Sequence, residues 1–212
     1  MNKVKIIIIC LIALVVIGGL AFAIIKNINT EDKQTLDVSI TDEQGKEAKL
    51  NLNSDKILVI YFSETGNTQK LAKLISDKVG GDFIRIETEK VYPTDYNELV
   101  DDAKKEKEND DRPKLKTLNI NLDDYDTIFI GYPIWWYQMP MAMYTFFDNY
   151  DFANKTIIPF NTHEGSGSSG TYEDIQKLEP KAKVLEGLPI RGGDMVSDQS
   201  SKVDSWLNKL GI

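Results

Sequence analysis

Residues 56–81 read KILVIYFSETGNTQKLAKLISDKVGG, and the fold is decided here. Lys56–Phe62 is a short, nearly continuous apolar run rich in branched residues. Such a run suits a strand covered on both faces, as in a parallel sheet. From Thr68 to Val79 the apolar positions Leu71, Leu74, Ile75 and Val79 fall at helical spacing, and Gly80-Gly81 ends the run. Between strand and helix lies SETGNT, with Gly66, hydroxyls at Ser63, Thr65 and Thr68, an amide at Asn67, and no lysine or arginine. Its backbone N–H groups would sit at a helix N-terminus, where partial positive charge collects and anions bind. The G-x-x-x-x-G-K-[ST] pattern is absent, which disfavours a nucleoside triphosphate. By itself the loop reads equally as an ordinary capped turn with Thr68 as N-cap.

Outward from this stretch, strand and helix patterns alternate. Asp82–Glu87 reads as a second strand, and Tyr96–Asn109 as a charged, thinly buried surface helix. Asp126–Pro133 is a third strand, Met141–Tyr150 a helix, Lys155–Thr162 a fourth strand and Thr171–Leu178 a helix. Ala182–Ile190 is a fifth strand expected to end near Gly187. A last helix carries Val203, Trp206, Leu207 and Leu210 on one stripe. This alternation implies an α/β doubly wound parallel sheet with helices on both faces. Ligands of such sheets bind beyond the carboxyl ends of the strands, where strand order reverses. The loops after the first, third and fourth strands are therefore expected to line one site, with the loop after the second as a further candidate.

The whole chain has 212 residues, a net charge of −8 and one cysteine and one histidine, Cys10 and His163. The acidic balance disfavours nucleic acid as a partner. One cysteine and one histidine exclude an internal disulfide and a Cys/His zinc cluster, and no metal is expected. Residues 6–25 read IIIICLIALVVIGGLAFAII without a charge, about the length a helix needs to cross a bilayer. The reading is an uncleaved single-pass membrane anchor over residues 1–26, with a cleaved signal peptide as the rival because AFA at 21–23 resembles a cleavage site. Lys3 and Lys5 against Lys26 and Lys33 tilt the orientation toward an extracytoplasmic main domain. Residues 27–54 form a polar linker. There Leu36, Val38 and Ile40, then Ala48, Leu50 and Leu52, alternate about Gly45 as in a hairpin. Residues 55–212 form the main domain.

Two further loops are unusual. GYPIWWYQMP, 131–140, follows the third strand. Its adjacent Trp135 and Trp136 cannot both face a core, so at least one indole is expected to be exposed or to cover a flat partner. NTHEGSGSSG, 161–170, follows the fourth strand and offers close backbone approach with N–H and hydroxyl donors. Core packing with a protein contact for the former, and a plain surface loop for the latter, are the alternatives. The joint reading is a phosphate on SETGNT and a planar ring between the other two loops.

YFSETGNT, GYPIWW with its later proline, and PFNTHEGSGSSG, in this order, resemble the flavodoxin family over residues 56–212. YPTDY (Tyr92–Tyr96) and Arg112-Pro113 also resemble the flavodoxin-like subgroup with a Trp-containing second loop, without an evident role. The resemblance implies a five-stranded sheet of order 2-1-3-4-5 and noncovalently bound FMN. It implies phosphate contacts from Ser63, Thr65, Gly66, Asn67 and Thr68. Pro133, Ile134, Trp135 and Trp136 would flank the ring, and Thr162, His163, Glu164, Gly165 and Ser166 would meet its pyrimidine side. The third loop lacks the tyrosine of long-chain flavodoxins, so the indoles must cover more of the ring. The function expected is an FMN electron carrier at the membrane, with a redox partner protein or quinone-like acceptor. An NAD(P)H-dependent quinone or flavin reductase is the alternative, and a non-redox binding module a third reading.

Overall fold

A computed structural model describes residues 56–212, together with the backbone of two short segments nearer the N-terminus. Those segments, β1 (Ser39–Thr41) and β2 (Glu47–Lys49), pair antiparallel with Ile40 opposite Ala48, within the span read as a hairpin. The proposed membrane span at 6–25 and the hairpin turn at Gly45 lie outside the described residues. Among the described residues no helix is long and apolar enough to cross a membrane.

The main unit runs β3 (Ile57–Phe62), α1 (Asn67–Val79), β4 (Asp82–Ile86), α2 (Tyr96–Asn109), β5 (Thr127–Pro133), α3 (Met141–Asn149), β6 (Thr156–His163), α4 (Thr171–Leu178), β7 (Lys183–Val184), β8 (Leu188–Arg191) and α5 (Ser200–Leu210). All pairings in its sheet are parallel, in the order β4-β3-β5-β6 followed by β7 and β8. This is the 2-1-3-4-5 arrangement, with the fifth position shared by two short strands.

Strand β3 shows why helices lie on both faces. Leu58, Ile60 and Phe62 enter a cluster with Leu99 of α2, Phe146 of α3 and Ile175 of α4. Ile57, Val59 and Tyr61 enter a second cluster with Leu71 and Ile75 of α1 and Val203, Trp206 and Leu207 of α5. All six β3 residues are buried, so the run had to be apolar without alternation. Leu210 packs on the second cluster as its helical stripe requires.

The last strand departs from expectation, since it is split and extends past Gly187. Ile157 pairs with Val184 and Phe160 with Leu188, so the outer chain carries one extra residue between these points. The carbonyls of Lys155 and Ile157 accept from the N–H groups of Lys183 and Leu185. The next residue in that phase, Pro159, has no N–H to give, and the outer strand bulges opposite it.

Inside the sheet, Gly131 of β5 lies beside Phe160 of β6, and a Cβ at 131 would come within 2.2 Å of the Phe160 ring. Gly131→Ala is therefore expected to lower stability by about 1–3 kcal/mol through overpacking. A urea midpoint equal to that of the unaltered protein would show that Phe160 can move aside.

Candidate functional site

Strand order reverses at β3, which has β4 on one side and β5 on the other. A cleft of about 910 Å³ opens near the carboxyl ends of these strands. It is lined by Thr65 and Asn67, by Pro133 to Tyr137, by Thr162 to Ser166, by Gly192, and by Tyr96, Leu99, Val100 and Ala103 of α2. The three loops singled out in the sequence thus meet in one place. Among these described residues Glu164 is the only side chain with a formal charge.

One end of the cleft is the start of α1. Gly66 is the N-cap in a left-handed conformation, φ 86°, with open space where a Cβ would stand. The first intrahelical bond runs from Lys70 N–H to the Gly66 carbonyl, so the N–H groups of Asn67, Thr68 and Gln69 have no intrahelical acceptor. No side chain caps this helix and no acidic residue stands in its first turn. By contrast, Asp95 caps α2, its carboxylate accepting from the N–H groups of Asn97 and Glu98. An uncapped N-terminus that opens on a cleft, with no acidic residue in its own first turn, fits a phosphate.

Ser63, Gly66 and Thr68 are not among the residues that line the cleft, and Ser63 and Thr68 are buried. Ser63 Oγ accepts from Gly66 N–H at 3.2 Å and sets the turn. Thr68 is not an N-cap. Its hydroxyl meets that of Thr162 at 2.7 Å, which ties the first loop to the end of β6. The loop itself holds no cation, yet Arg85 of β4 reaches it from below. Its guanidinium donates to the Ser63 carbonyl at 2.6 Å and lies 3.6 Å from Glu64. Burial pushes the Glu64 carboxyl above its ordinary range against the pull of Arg85.

The other end is aromatic. Trp135 and Trp136 part company as their adjacency requires. Trp135 packs edge-on against Phe62 and Tyr92, with ring centroids 5.5 and 5.4 Å away. Trp136 is 37% exposed and Tyr137 74%. Trp135 and Gln138 exchange backbone hydrogen bonds around a two-residue turn, with Trp136 at φ 51° and Tyr137 at φ 64°. Bulky residues seldom adopt this conformation, and tight turns of this kind favour Asn-Gly. Helix α2 holds the turn in place. Trp136 Nε1–H donates to the Val100 carbonyl at 2.9 Å, Lys107 donates to the Trp136 carbonyl at 2.7 Å, and the Lys104 ammonium lies 5.4 Å from the indole.

The third loop is pinned rather than free. Buried Asn161 donates to the Gly167 carbonyl and accepts from the Tyr172 hydroxyl. Ile134 N–H donates to the Thr162 carbonyl at 2.7 Å, joining the second loop to the third. His163 Nδ1 accepts from Gly165 N–H at 2.9 Å, so the ring is bound as a neutral acceptor there. Burial lowers the His163 pKa, with Glu164 opposing. Glu164 lies 3.8 Å from Arg191.

Sequence reasoning missed the wall supplied by α2, together with Tyr137 and Gly192. Leu99 and Ala103 carried a signal in their helical spacing, and Tyr137 stands in the same loop as the paired tryptophans. Gly192 gave none, because its place depends on how the split last strand ends. A Cβ there would come within 2.5 Å of the Glu164 carboxylate and 3.0 Å of the Asn67 amide, so a larger residue would make those side-chain ends shift.

A family model described as flavodoxin matches residues 56–210. A flavodoxin of Picosynechococcus sp. is 29% identical over 144 residues, which is 64% of this chain and 68% of the relative. A protein of Bacteroides uniformis described provisionally as a flavoprotein has a crystal structure 34% identical in sequence, with a TM-score of 0.64. The match covers 72% of this chain and 97% of that one. A Lactobacillus acidophilus flavoprotein, crystallised in complex with FMN, is 25% identical with a TM-score of 0.56, covering 72% and 98% of the two chains. With its sheet order and a family match over most of its length, the chain belongs to the flavodoxin family.

Proposed function

We propose that this chain is an FMN-binding electron-transfer protein tethered to a membrane. The observation that carries the reading is a single cleft, at a reversal of strand order, that joins an uncapped helix N-terminus to two adjacent indoles. A phosphate monoester suits one end and a flat ring the other, and FMN has both. When bound, FMN supplies one- and two-electron redox chemistry, which no side chain need perform. The N–H groups opening α1, with Thr65 and Asn67, would hold the phosphate, while Ser63, Gly66 and Thr68 keep the loop in shape. Pro133, Ile134, Trp135 and Trp136 would cover the ring and exclude water, and Thr162 to Ser166 would meet its polar edge.

Charge supports a low potential. Glu164 is the charged group in the cleft wall, and a negative neighbour disfavours adding further negative charge. Exposed Tyr96 and Tyr137 at the rim suit contact with a redox partner protein or a quinone-like acceptor. The reductase reading shares the fold. Against it, Lys107 and Lys104, the lysines at the α2 rim, are engaged with Trp136. Residues 6–25 would be the anchor, with the main domain extracytoplasmic.

Purified protein is expected to be yellow, to have a two-electron potential below that of free FMN, and to keep its colour under anaerobic NADPH without a partner reductase. Rapid bleaching by NADPH alone would replace the carrier with the reductase. A colourless protein that ignores added FMN would sink the cofactor assignment. The full chain should sediment with membranes and resist alkaline extraction, whereas residues 27–212 should be released; equal solubility of the two would end the anchor reading.

His163 gives a pH dependence. Its folded-state pKa is depressed, so the unfolded chain takes the proton more readily, and stability is full above about pH 6.5 and declines as the pH falls. Protonation also removes the acceptor for Gly165 N–H, in a setting that contains Glu164, Arg191 and Asp194. His163→Gln should flatten the melting temperature between pH 7 and 5. An unchanged slope would assign it to other groups.

A further inference from the structure

The YPTDY segment and the charged helix α2 contain a buried network that the cofactor contacts above leave unused. We propose that Glu106, held by Lys90, is a positioning residue that fixes Trp135 against the cleft through the ring of Tyr92. The inference rests on the flavin reading and adds to it a device outside the cleft.

Glu106 is 3% exposed and both its oxygens are engaged. Oε1 accepts from Lys90 Nζ at 2.6 Å and Oε2 from the Tyr92 hydroxyl at 2.9 Å. Lys90 makes a second ion pair with Asp102 at 2.6 Å, and its ammonium lies 5.0 Å from the centre of the Tyr92 ring. The ring is thus held at its hydroxyl and on its face. Tyr92 is 5% exposed and meets Trp135 edge to face at 5.4 Å and 76°. Phe62 closes the triangle, 5.9 Å from Tyr92 and 5.5 Å from Trp135, with interplanar angles of 73° and 81°. Three mutually crossed rings fix the plane of the indole as well as its place. Phe62 is set by β3, so Tyr92 is the member whose place depends on a polar bond.

The protonation states agree with this geometry. Burial, then the Glu106 charge, push the Tyr92 phenol up, so it remains a neutral donor. Burial pulls Lys90 down, but Asp102 and Glu106 outweigh it and keep the ammonium charged.

Stability alone does not account for the network. Glu106 is the third member of the buried α2 stripe after Leu99 and Ala103, and an apolar residue could complete that stripe. Replacing buried ion pairs by apolar groups is often neutral or favourable. A carboxylate at this place orients what it bonds, and what it bonds is the ring behind the cleft wall. The same helix fixes Trp136 through Val100, Lys104 and Lys107, so α2 sets both indoles.

The test compares Glu106→Ala, Glu106→Gln and Tyr92→Phe by two readouts. The first is the near-ultraviolet circular dichroism of Trp135 in FMN-free protein, taken as the difference from Trp135→Phe. The second is the Kd for FMN. Glu106→Ala should lose at least half of the Trp135 signal and weaken FMN binding about tenfold or more, at unchanged far-ultraviolet signal. Glu106→Gln, which keeps an acceptor for Tyr92, should restore most of both. Tyr92→Phe, which keeps the ring without its bond, should fall between. If Glu106→Ala does not fold, Tyr92→Phe decides alone. A Trp135 signal and FMN affinity within twofold of the unaltered protein, in a folded Glu106→Ala or in Tyr92→Phe, overturns the proposal. The dichroism readout needs no FMN. Unaltered protein that ignores FMN would therefore end the flavin reading separately, and the Trp135 signal would still judge Glu106.

Discussion

Burial of β3 on both faces is the constraint from which the remainder follows. A strand with all six residues buried needs a helix layer on each side. Parallel neighbours supply those helices as crossovers. The chain first leaves β3 toward β4 and later returns to its other edge as β5, so two connections diverge above one strand end. A crevice must form there, and the first turn of α1 must open into it. The placing of the site is therefore decided by hydrophobic burial before any polar residue acts. The polar residues then determine what the crevice can hold.

That division explains what was legible in the sequence. Continuous apolar runs and helical stripes mark their elements within a residue or two, because burial acts on every residue of a run. SETGNT, the paired tryptophans and the Gly/Ser loop were legible because the topology sends all three to one edge. The role of Thr68 was not. Its bond to Thr162 joins residues 94 positions apart, and a threonine at a helix start looks the same whether it caps or crosses. Arg85 was hidden similarly, since its relation to Ser63 arises from strand pairing in register. The split last strand could have been suspected from Pro159, but only once the phase of the hydrogen bonds was known.

Helix α2 shows how composition can mislead. Its charged sequence reads as a solvated surface element, and most of it is exposed. The buried stripe is Leu99, Ala103 and Glu106, and a glutamate at the third position hides the stripe from any count of apolar residues. Its carboxylate is matched by a lysine and a phenol from the segment just before the helix. Such a pair is sensitive to loss of one partner, because the other then remains buried without compensation.

The turn at Trp136 and Tyr137 has a consequence for how this protein could be stabilised. Two bulky residues in left-handed backbone cost about 1–3 kcal/mol each. Asn and Gly would relieve that cost, and a search guided by stability alone would select them. The relieved protein would have lost Trp136 and Tyr137 from the aromatic wall of its cleft, keeping Trp135 there. This turn is thus a place where thermal hardiness and ligand recognition pull the sequence in opposite directions, and where a more robust variant should be checked for what it has stopped binding.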